Sequence, residues 1–192
     1  MAILKVARMG HPILRQVAPA VDSAEITSPA FQQFIQDLIE TMQEYRGLGL
    51  AAPQVHRSVR LCVVEVEENP RYKNKKLSGL IIFINPEIEH LTDEKDSYWE
   101  GCLSVPGLRG LVARTNKIRV NYLDQHGKKQ ETVLEGFLST VLQHEFDHLD
   151  GKLYIDRLVD TTKLSFEEEF DRHWLPAEGE DSGLEEYTEE ER

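Results

Sequence analysis

The chain has 192 residues, of which 40% are hydrophobic, and its formal net charge is −12 at pH 7. These proportions suit one compact domain with an adequate core, and no apolar run approaches the roughly 18 residues of a membrane-spanning helix. Two cysteines leave no disulfide framework, and the N-terminus has neither a secretory nor a transit pattern, so we expect a cytoplasmic protein without membrane association.

The first element that the sequence predicts is a helix beginning at residue 28. Ser28 is typical of an N-cap and Pro29 of the first helical position. Apolar side chains then recur at helical spacing until Gly47 ends the helix; they are Phe31, Phe34, Ile35, Leu38 and Met42. This pattern predicts a helix that packs one face against the core.

Two predicted strands follow a loop of small residues. The loop, residues 47–54 (GLGLAAPQ), ends in the side-chain amide of Gln54. Residues 60–66 and 80–84 are apolar, β-branched runs of strand length, and we expect Asn85 and Pro86 to end the second. Cys62 lies within the first run and is interpreted as a core residue of that strand.

A tight segment and a hairpin come next. Residues 100–107 (EGCLSVPG) place one thiol, Cys102, among two glycines and one proline, although a lone cysteine is more often a small core residue than a ligand. Residues 117–123 and 130–134 flank the turn residues 124–127 (DQHG), which predicts a β-hairpin.

The last strong pattern is a helix that Gly136 opens and Gly151 follows. Its apolar positions run through Phe137, Val141, Leu142 and Leu149. Strands on both sides of one such helix predict an α+β fold, with mixed or antiparallel strands packed around a central helix.

This helix carries the most informative residues of the chain, the H-E-x-x-H motif at His144, Glu145 and His148. Positions four apart lie one turn above each other on a helix, so both imidazoles can reach one metal ion while Glu145 stays beside them as a base. The motif therefore predicts a catalytic metal site.

Such a site takes three protein ligands and leaves a position for water, and three candidates for the third ligand exist. A metzincin-like extension would place it at Tyr154, which is not a normal ligand. A thermolysin-like pattern would use an acid about twenty residues downstream, where Glu167, Glu168 and Glu169 lie. The third candidate is Cys102. Ligand spacing alone leaves these alternatives open.

Read together, the segments GLGLAAPQ, EGCLS and QHEFDH resemble, in that order, the three signature motifs of the peptide deformylases. The resemblance runs from about Met9 to Arg157. It implies that Cys102 completes a metal site with His144 and His148. It also implies an enzyme that hydrolyses the N-formyl group from N-formylmethionyl nascent peptides. The rival interpretation is an H-E-x-x-H zinc metallopeptidase with a Glu third ligand.

The resemblance also implies roles for residues outside the ligand set. Glu145 would move the proton, while the Gln54 amide and the Leu103 backbone N–H would stabilise negative charge on the carbonyl oxygen. The backbone of Gly49 would pair with the peptide as an added strand. The methionine pocket would include Leu48, Tyr98, Phe137 and Val141.

Two further expectations concern the surroundings of the metal. Glu100 is a candidate acceptor for a ligand histidine, and Arg109 a candidate to neutralise Glu100. The resemblance implies one divalent ion, with iron(II) first, although zinc, nickel and cobalt accept the same donors.

The acidity of the chain belongs to its C-terminal end. Twelve acids and two bases between Glu167 and Arg192 account for −10 of the net charge. We expect one catalytic domain over residues 1–176, followed by an acidic, disordered tail at 177–192. Such a tail would be repelled by RNA phosphates, so we expect a transient ribosome contact, if made, to avoid it. No direct DNA binding is expected.

Overall fold

The computed structural model describes residues 2–66 and 79–174. Its α-helices are α1 (Ser23–Ile26), α2 (Pro29–Glu44), α3 (Phe137–Leu149) and α4 (Glu167–His173). Its strands are β1 (Gly49–Ala51), β2 (Leu61–Val66), β3 (Gly79–His90), β4 (Lys95–Cys102), β5 (Val105–Thr115), β6 (Lys117–Leu123), β7 (Lys129–Glu135) and β8 (Leu164–Phe166). No helix among these residues has the length and apolar character needed to span a membrane. The predicted domain end at residue 176 and the acidic tail lie outside the described residues.

The strands form two antiparallel sheets. One has the order β1-β2-β3-β6-β7 and the other the order β4-β5-β8. Helix α3 contacts β1, β2 and β7 of the larger sheet and β4 and β5 of the smaller one. The predicted α+β fold around a central helix is therefore confirmed.

Strand β2 shows why the larger sheet can carry a helix on each face. Leu61 and Val63 are buried in a cluster with α2, whereas Cys62 and Val64 are buried in a second cluster with α3. Because successive side chains of a strand point to opposite faces, an unbroken apolar run fits a strand covered on both sides. Cys62 is a core residue of this strand, as its position predicted.

The predicted helices and hairpin are confirmed. The Ser28 hydroxyl accepts a hydrogen bond from the Phe31 amide at the start of α2, and β6 pairs with β7 throughout their length. Gly151 follows α3 with φ of 70°, a left-handed conformation that glycine adopts readily.

The predicted end of the second strand is wrong. Strand β3 continues past Asn85 and Pro86 to His90, with a register shift between Ile84 and Glu87. Proline has no N–H to give to a sheet, and the irregularity accommodates it. Asn85, at φ of 50°, uses its side chain to bond both backbone groups of Val21. The Asn-Pro pair thus bends the strand instead of terminating it.

Candidate metal centre

Cys102 is positioned by the end of the β4–β5 hairpin. Glu100 pairs with Gly110 and Cys102 pairs with Val105, so the register shifts at Gly101. Such an irregularity changes the direction in which the next side chain points. The tight segment predicted around the thiol is thus the last residues of β4, a turn and the first residues of β5.

Helix α3 supplies the two imidazoles from one face. The His144 and His148 ring centroids are 5.0 Å apart, as expected for residues one turn apart. The Cys102 Sγ atom lies 3.3 Å from Nε2 of His148, and the three candidate ligand atoms lie within 4.8 Å of one another. The structure therefore brings together the three residues that the sequence predicted as ligands.

These residues fit a divalent metal ion. Bonds of about 2.0–2.3 Å in tetrahedral geometry separate two ligand atoms by roughly 3.5 Å, which is close to the observed spacing. Burial raises the pKa of the Cys102 thiol, but the neighbouring His148 and His144 lower it by more than burial raises it. The pKa is therefore well below its ordinary value. A thiolate with two imidazoles is a donor set that zinc and iron accept.

The other two candidates for the third ligand lie elsewhere. The Tyr154 ring stacks on His144, with centroids 6.1 Å apart, and it offers no nitrogen, sulfur or carboxylate donor. Glu167 is held by Arg109, with Nη2 and Oε1 2.5 Å apart. Glu169, farther along α4, pairs with Arg172. Among the described residues, the metal-ligand cluster contains Cys102, His144 and His148 alone.

A buried ionic network holds His144 through its Nδ1 atom. The His144 Nδ1 atom lies 2.7 Å from Oε2 of Glu100, as predicted, which leaves Nε2 for the cluster. Arg114 donates to both oxygens of Glu100, at 2.5 and 3.0 Å, and to Asp147 at 2.8 Å. Burial raises the pKa of Glu100, but the His144 hydrogen bond and Arg114 lower it below its ordinary value. Glu100 is therefore an anionic acceptor.

The expectation that Arg109 neutralises Glu100 is wrong, because Arg114 fills that role. The sequence contained one signal for this residue, namely a charge at a strand position that alternation predicts to be buried. Asp147 was also not predicted from the sequence as the second acceptor for Arg114, although Asp147 lies within the third motif. Asp147 accepts hydrogen bonds from Arg157 as well. A buried arginine requires such acceptors.

Glu145 lies beside the ligands without joining them. Its side chain is buried, and burial raises the pKa of its carboxyl group. The Oε2 atom has no hydrogen-bond partner among the described residues. A Cβ atom at Gly49 would fall 2.5 Å from Oε1, so the carboxylate rests against the backbone of β1. A buried carboxylate next to a cluster of metal-ligand residues can act as a general base.

The first and second motifs meet at Gln54. Its Oε1 atom accepts from the Ala51 amide at 2.9 Å, and this contact orients the NH₂ group towards the second motif. Nε2 lies 3.5 Å from the sulfur of Cys102 and 3.2 Å from the hydroxyl of Ser104. Leu103 follows in the turn and packs against the α2 core. A donor is thus fixed next to the ligand cluster.

The cluster opens into a cavity of about 1150 Å³. Four of the five predicted substrate residues line it, namely Leu48, Gly49, Phe137 and Val141. Tyr98 packs edge-on against Phe137, with ring centroids 5.4 Å apart. Its contact with substrate stays a prediction.

A cysteine and two histidines that converge beside a buried carboxylate, in a cavity of the surface, are typical of a metal-dependent hydrolase. The sequence model described as polypeptide deformylase matches residues 3–164. The chain belongs to this family, which removes the N-formyl group from nascent peptides.

Relatives and solved structures agree. The chain is 44% identical over 172 residues to the peptide deformylase of Leptospira biflexa, which covers 89% of this chain and 96% of the relative. It is also 44% identical over 168 residues to peptide deformylase 2 of a Nostoc species, covering 88% and 93%. A Met-Ala-Ser-bound class I type b peptide deformylase from Acinetobacter baumannii superposes with a TM-score of 0.76 at 39% identity, covering 82% of this chain and 99% of that one. The structure of the Thermotoga maritima peptide deformylase superposes with a TM-score of 0.75 at 37% sequence identity, covering 83% of this chain and 100% of that one.

Proposed function

We propose that Cys102, His144 and His148 hold one divalent ion and that Glu145 is the general base that removes formyl groups from formylmethionine. The convergence of the three ligand atoms within 4.8 Å, next to a buried carboxylate, carries this proposal. An ion held there would supply Lewis acidity and make a water molecule acidic near neutral pH.

Glu145 takes the proton from the attacking water and later gives it to the leaving amine. Its raised pKa suits the first step, because burial makes the carboxylate a stronger base towards the water proton. No described residue forms a hydrogen bond with Oε2, so this oxygen can accept the water proton.

Gln54 and Leu103 stabilise the negative charge that develops on the carbonyl oxygen. The Gln54 amide is held in one orientation by Ala51, so its NH₂ group needs no reorganisation during the reaction. The Leu103 backbone N–H adds a second donor from the turn that follows Cys102. Gln54 and Leu103 thus form an oxyanion hole from two distant motifs.

The peptide binds along β1, which lies at the edge of the five-stranded sheet. An edge strand can accept an extended peptide through main-chain hydrogen bonds, and Gly49 is the position of β1 that lines the cavity. Leu48, Tyr98, Phe137 and Val141 form the methionine pocket, in which the Tyr98 ring packs edge-on against Phe137. Main-chain binding accepts many sequences beyond the first residue.

Iron(II) is the proposed native ion, since a mixed thiolate and imidazole set suits it and cells select metals by availability as much as by affinity. Air oxidation of the iron or of Cys102 would then inactivate the enzyme. Anaerobic purification followed by metal analysis separates iron from zinc, nickel and cobalt. The two free thiols fit the reducing cytoplasm as the site of action.

The decisive experiment measures formate release from formyl-Met-Ala-Ser, with acetyl-Met-Ala-Ser as the control. We expect turnover of the formyl peptide alone, because we propose that the space next to Gln54 and Leu103 is too small for the extra methyl group. Release of formate that does not depend on the metal, or equal release of acetate from the control, would contradict the proposal.

A further inference from the structure

The mouth of the active-site cavity carries three cationic side chains, which we call the cationic rim: Lys5, Arg8 and Arg46. All three line the cavity and are exposed. None of them forms an ion pair with another described residue.

The acids of the same cavity do not neutralise the rim. Glu145 and Glu100 are buried, and Glu100 is engaged by Arg114. Glu167 is partly exposed, and Arg109 holds it. The field at the mouth is therefore positive, and a cleft with one sign of charge attracts ligands of the other sign.

Arg8 is held over the site by its two neighbours. The Ala7 amide donates to the Gln54 carbonyl at 2.7 Å, and the Met9 amide donates to the Ser104 carbonyl at 2.7 Å. The N-terminal segment thus bridges the first and second motifs, and Arg8 lies at the middle of the bridge. Its backbone cannot move without moving both catalytic loops.

Arg46 has a conformation that its position does not favour. It follows α2 with φ of 54°, while the next residue, Gly47, bonds back to the Met42 carbonyl at 2.9 Å. Glycine is the usual residue in this left-handed position at a helix end. A non-glycine residue there is strained, and such strain is concentrated at functional sites. The chain thus accepts a conformational cost at a residue that lines the cavity.

We propose that the cationic rim binds carboxylates of the substrate, so that the enzyme favours formylated peptides with Asp or Glu directly after the methionine. This inference rests on the proposed function. A strand added to β1 rises about 3.3 Å per residue, so residues beyond the methionine leave the cavity across its mouth. Their side chains then meet the rim, whereas the methionine pocket remains apolar.

The test compares two amidated peptides, formyl-Met-Asp-Glu-Ser and its neutral isostere formyl-Met-Asn-Gln-Ser. At low salt we expect the acidic peptide to have a kcat/KM higher by about fivefold to twentyfold, mainly through KM, since each exposed ion pair contributes a factor of at most about five. Salt of about 0.5 M should remove most of the difference by screening.

Three variants assign the effect to the rim. Arg46→Glu and Arg8→Glu should each lower the acidic-to-neutral ratio at least threefold. Lys129→Glu, which reverses an exposed charge outside the cavity lining, should leave the ratio unchanged. Arg46→Gly should lower the ratio while raising the melting temperature, because glycine relieves the strained φ. A purely structural role would not move the peptide ratio.

The outcomes are distinguishable. Failure to release formate from either peptide contradicts the proposed function itself. Formate release with no charge preference, or with equal effects of Arg46→Glu and Lys129→Glu, overturns the rim proposal alone. Inhibition by a short RNA that Arg46→Glu relieves, without any peptide preference, would assign the rim to nucleic acid and also overturn it.

Discussion

The Glu145 side chain packs directly against the backbone of Gly49, at the edge of the larger sheet. A Cβ atom at Gly49 would lie 2.5 Å from Oε1 and 2.7 Å from Cδ of the Glu145 carboxylate. Glycine at this position is therefore a condition for the placement of the base, and not only a feature of a flexible loop.

Gly49→Ala should reduce kcat strongly while the fold and the metal survive. The clash extends to Cγ of the buried Glu145, at 2.8 Å, so the whole side chain must shift and we expect a lower melting temperature with the fold retained. A base displaced by about 1 Å loses on the order of a hundredfold in rate. Steady-state kinetics, metal analysis and thermal unfolding of one preparation test this. An active Gly49→Ala enzyme would show that Glu145 needs no such fixed position.

Glu145→Gln should keep the metal and lose about 10²–10⁴ in turnover, because the amide cannot accept the water proton. Glutamine fills the same buried space, so the fold should be little affected. The matched control is Glu169→Gln on the exposed side of α4, for which we expect wild-type rates. Metal content and formate release are measured together, and near-full activity of Glu145→Gln would refute its role as the base.

Cys102→Ser should lose the metal, whereas Glu167→Gln should retain it. An alcohol does not ionise near neutral pH as this thiol does, since His148 and His144 hold the pKa of Cys102 well below its ordinary value despite burial. Glu167 is engaged by Arg109, so its amide variant changes an ion pair and not a ligand. The amount of metal bound per protein molecule after dialysis of each variant tests this prediction. Retention in the first variant with loss in the second would support the acidic third ligand.

The helical part of the site could be predicted because its information is local. His144 and His148 lie four positions apart in one strongly periodic segment, and that spacing fixes their relative placement before any tertiary contact forms. Cys102 has no such local signal. The family motifs indicate its role, and its placement depends on a strand register shift at Gly101 that a short sequence window does not reveal.

The error about Arg109 has a similar origin. Glu100 pairs with Gly110, and residues opposite each other on antiparallel strands point to the same face. Gly110, Val112 and Arg114 are buried on that face, whereas Arg109 points to the other. Proximity in the sequence favoured Arg109, but the pairing register, which is a non-local property, selects Arg114.

Glu100→Gln tests the buried network that this register creates. The Glu100 side chain is 6% exposed and that of Arg114 is 4% exposed. Removing one partner of a buried ion pair leaves an uncompensated charge, which typically costs about 3–5 kcal/mol. We expect the lower end of this range, because Asp147 still accepts a hydrogen bond from Arg114.

The same substitution should weaken metal binding by about tenfold to a hundredfold, since a neutral amide holds His144 Nδ1 less firmly than a carboxylate. Glu89→Gln is the matched control, because its pair with Arg119 is exposed and contributes at most about 1 kcal/mol. Urea unfolding of metal-free protein measures the network, and competition with a chelator measures the ligand. If both variants unfold at the same urea concentration, the buried network does not stabilise the fold; if chelator resistance is also unchanged, Glu100 does not orient His144.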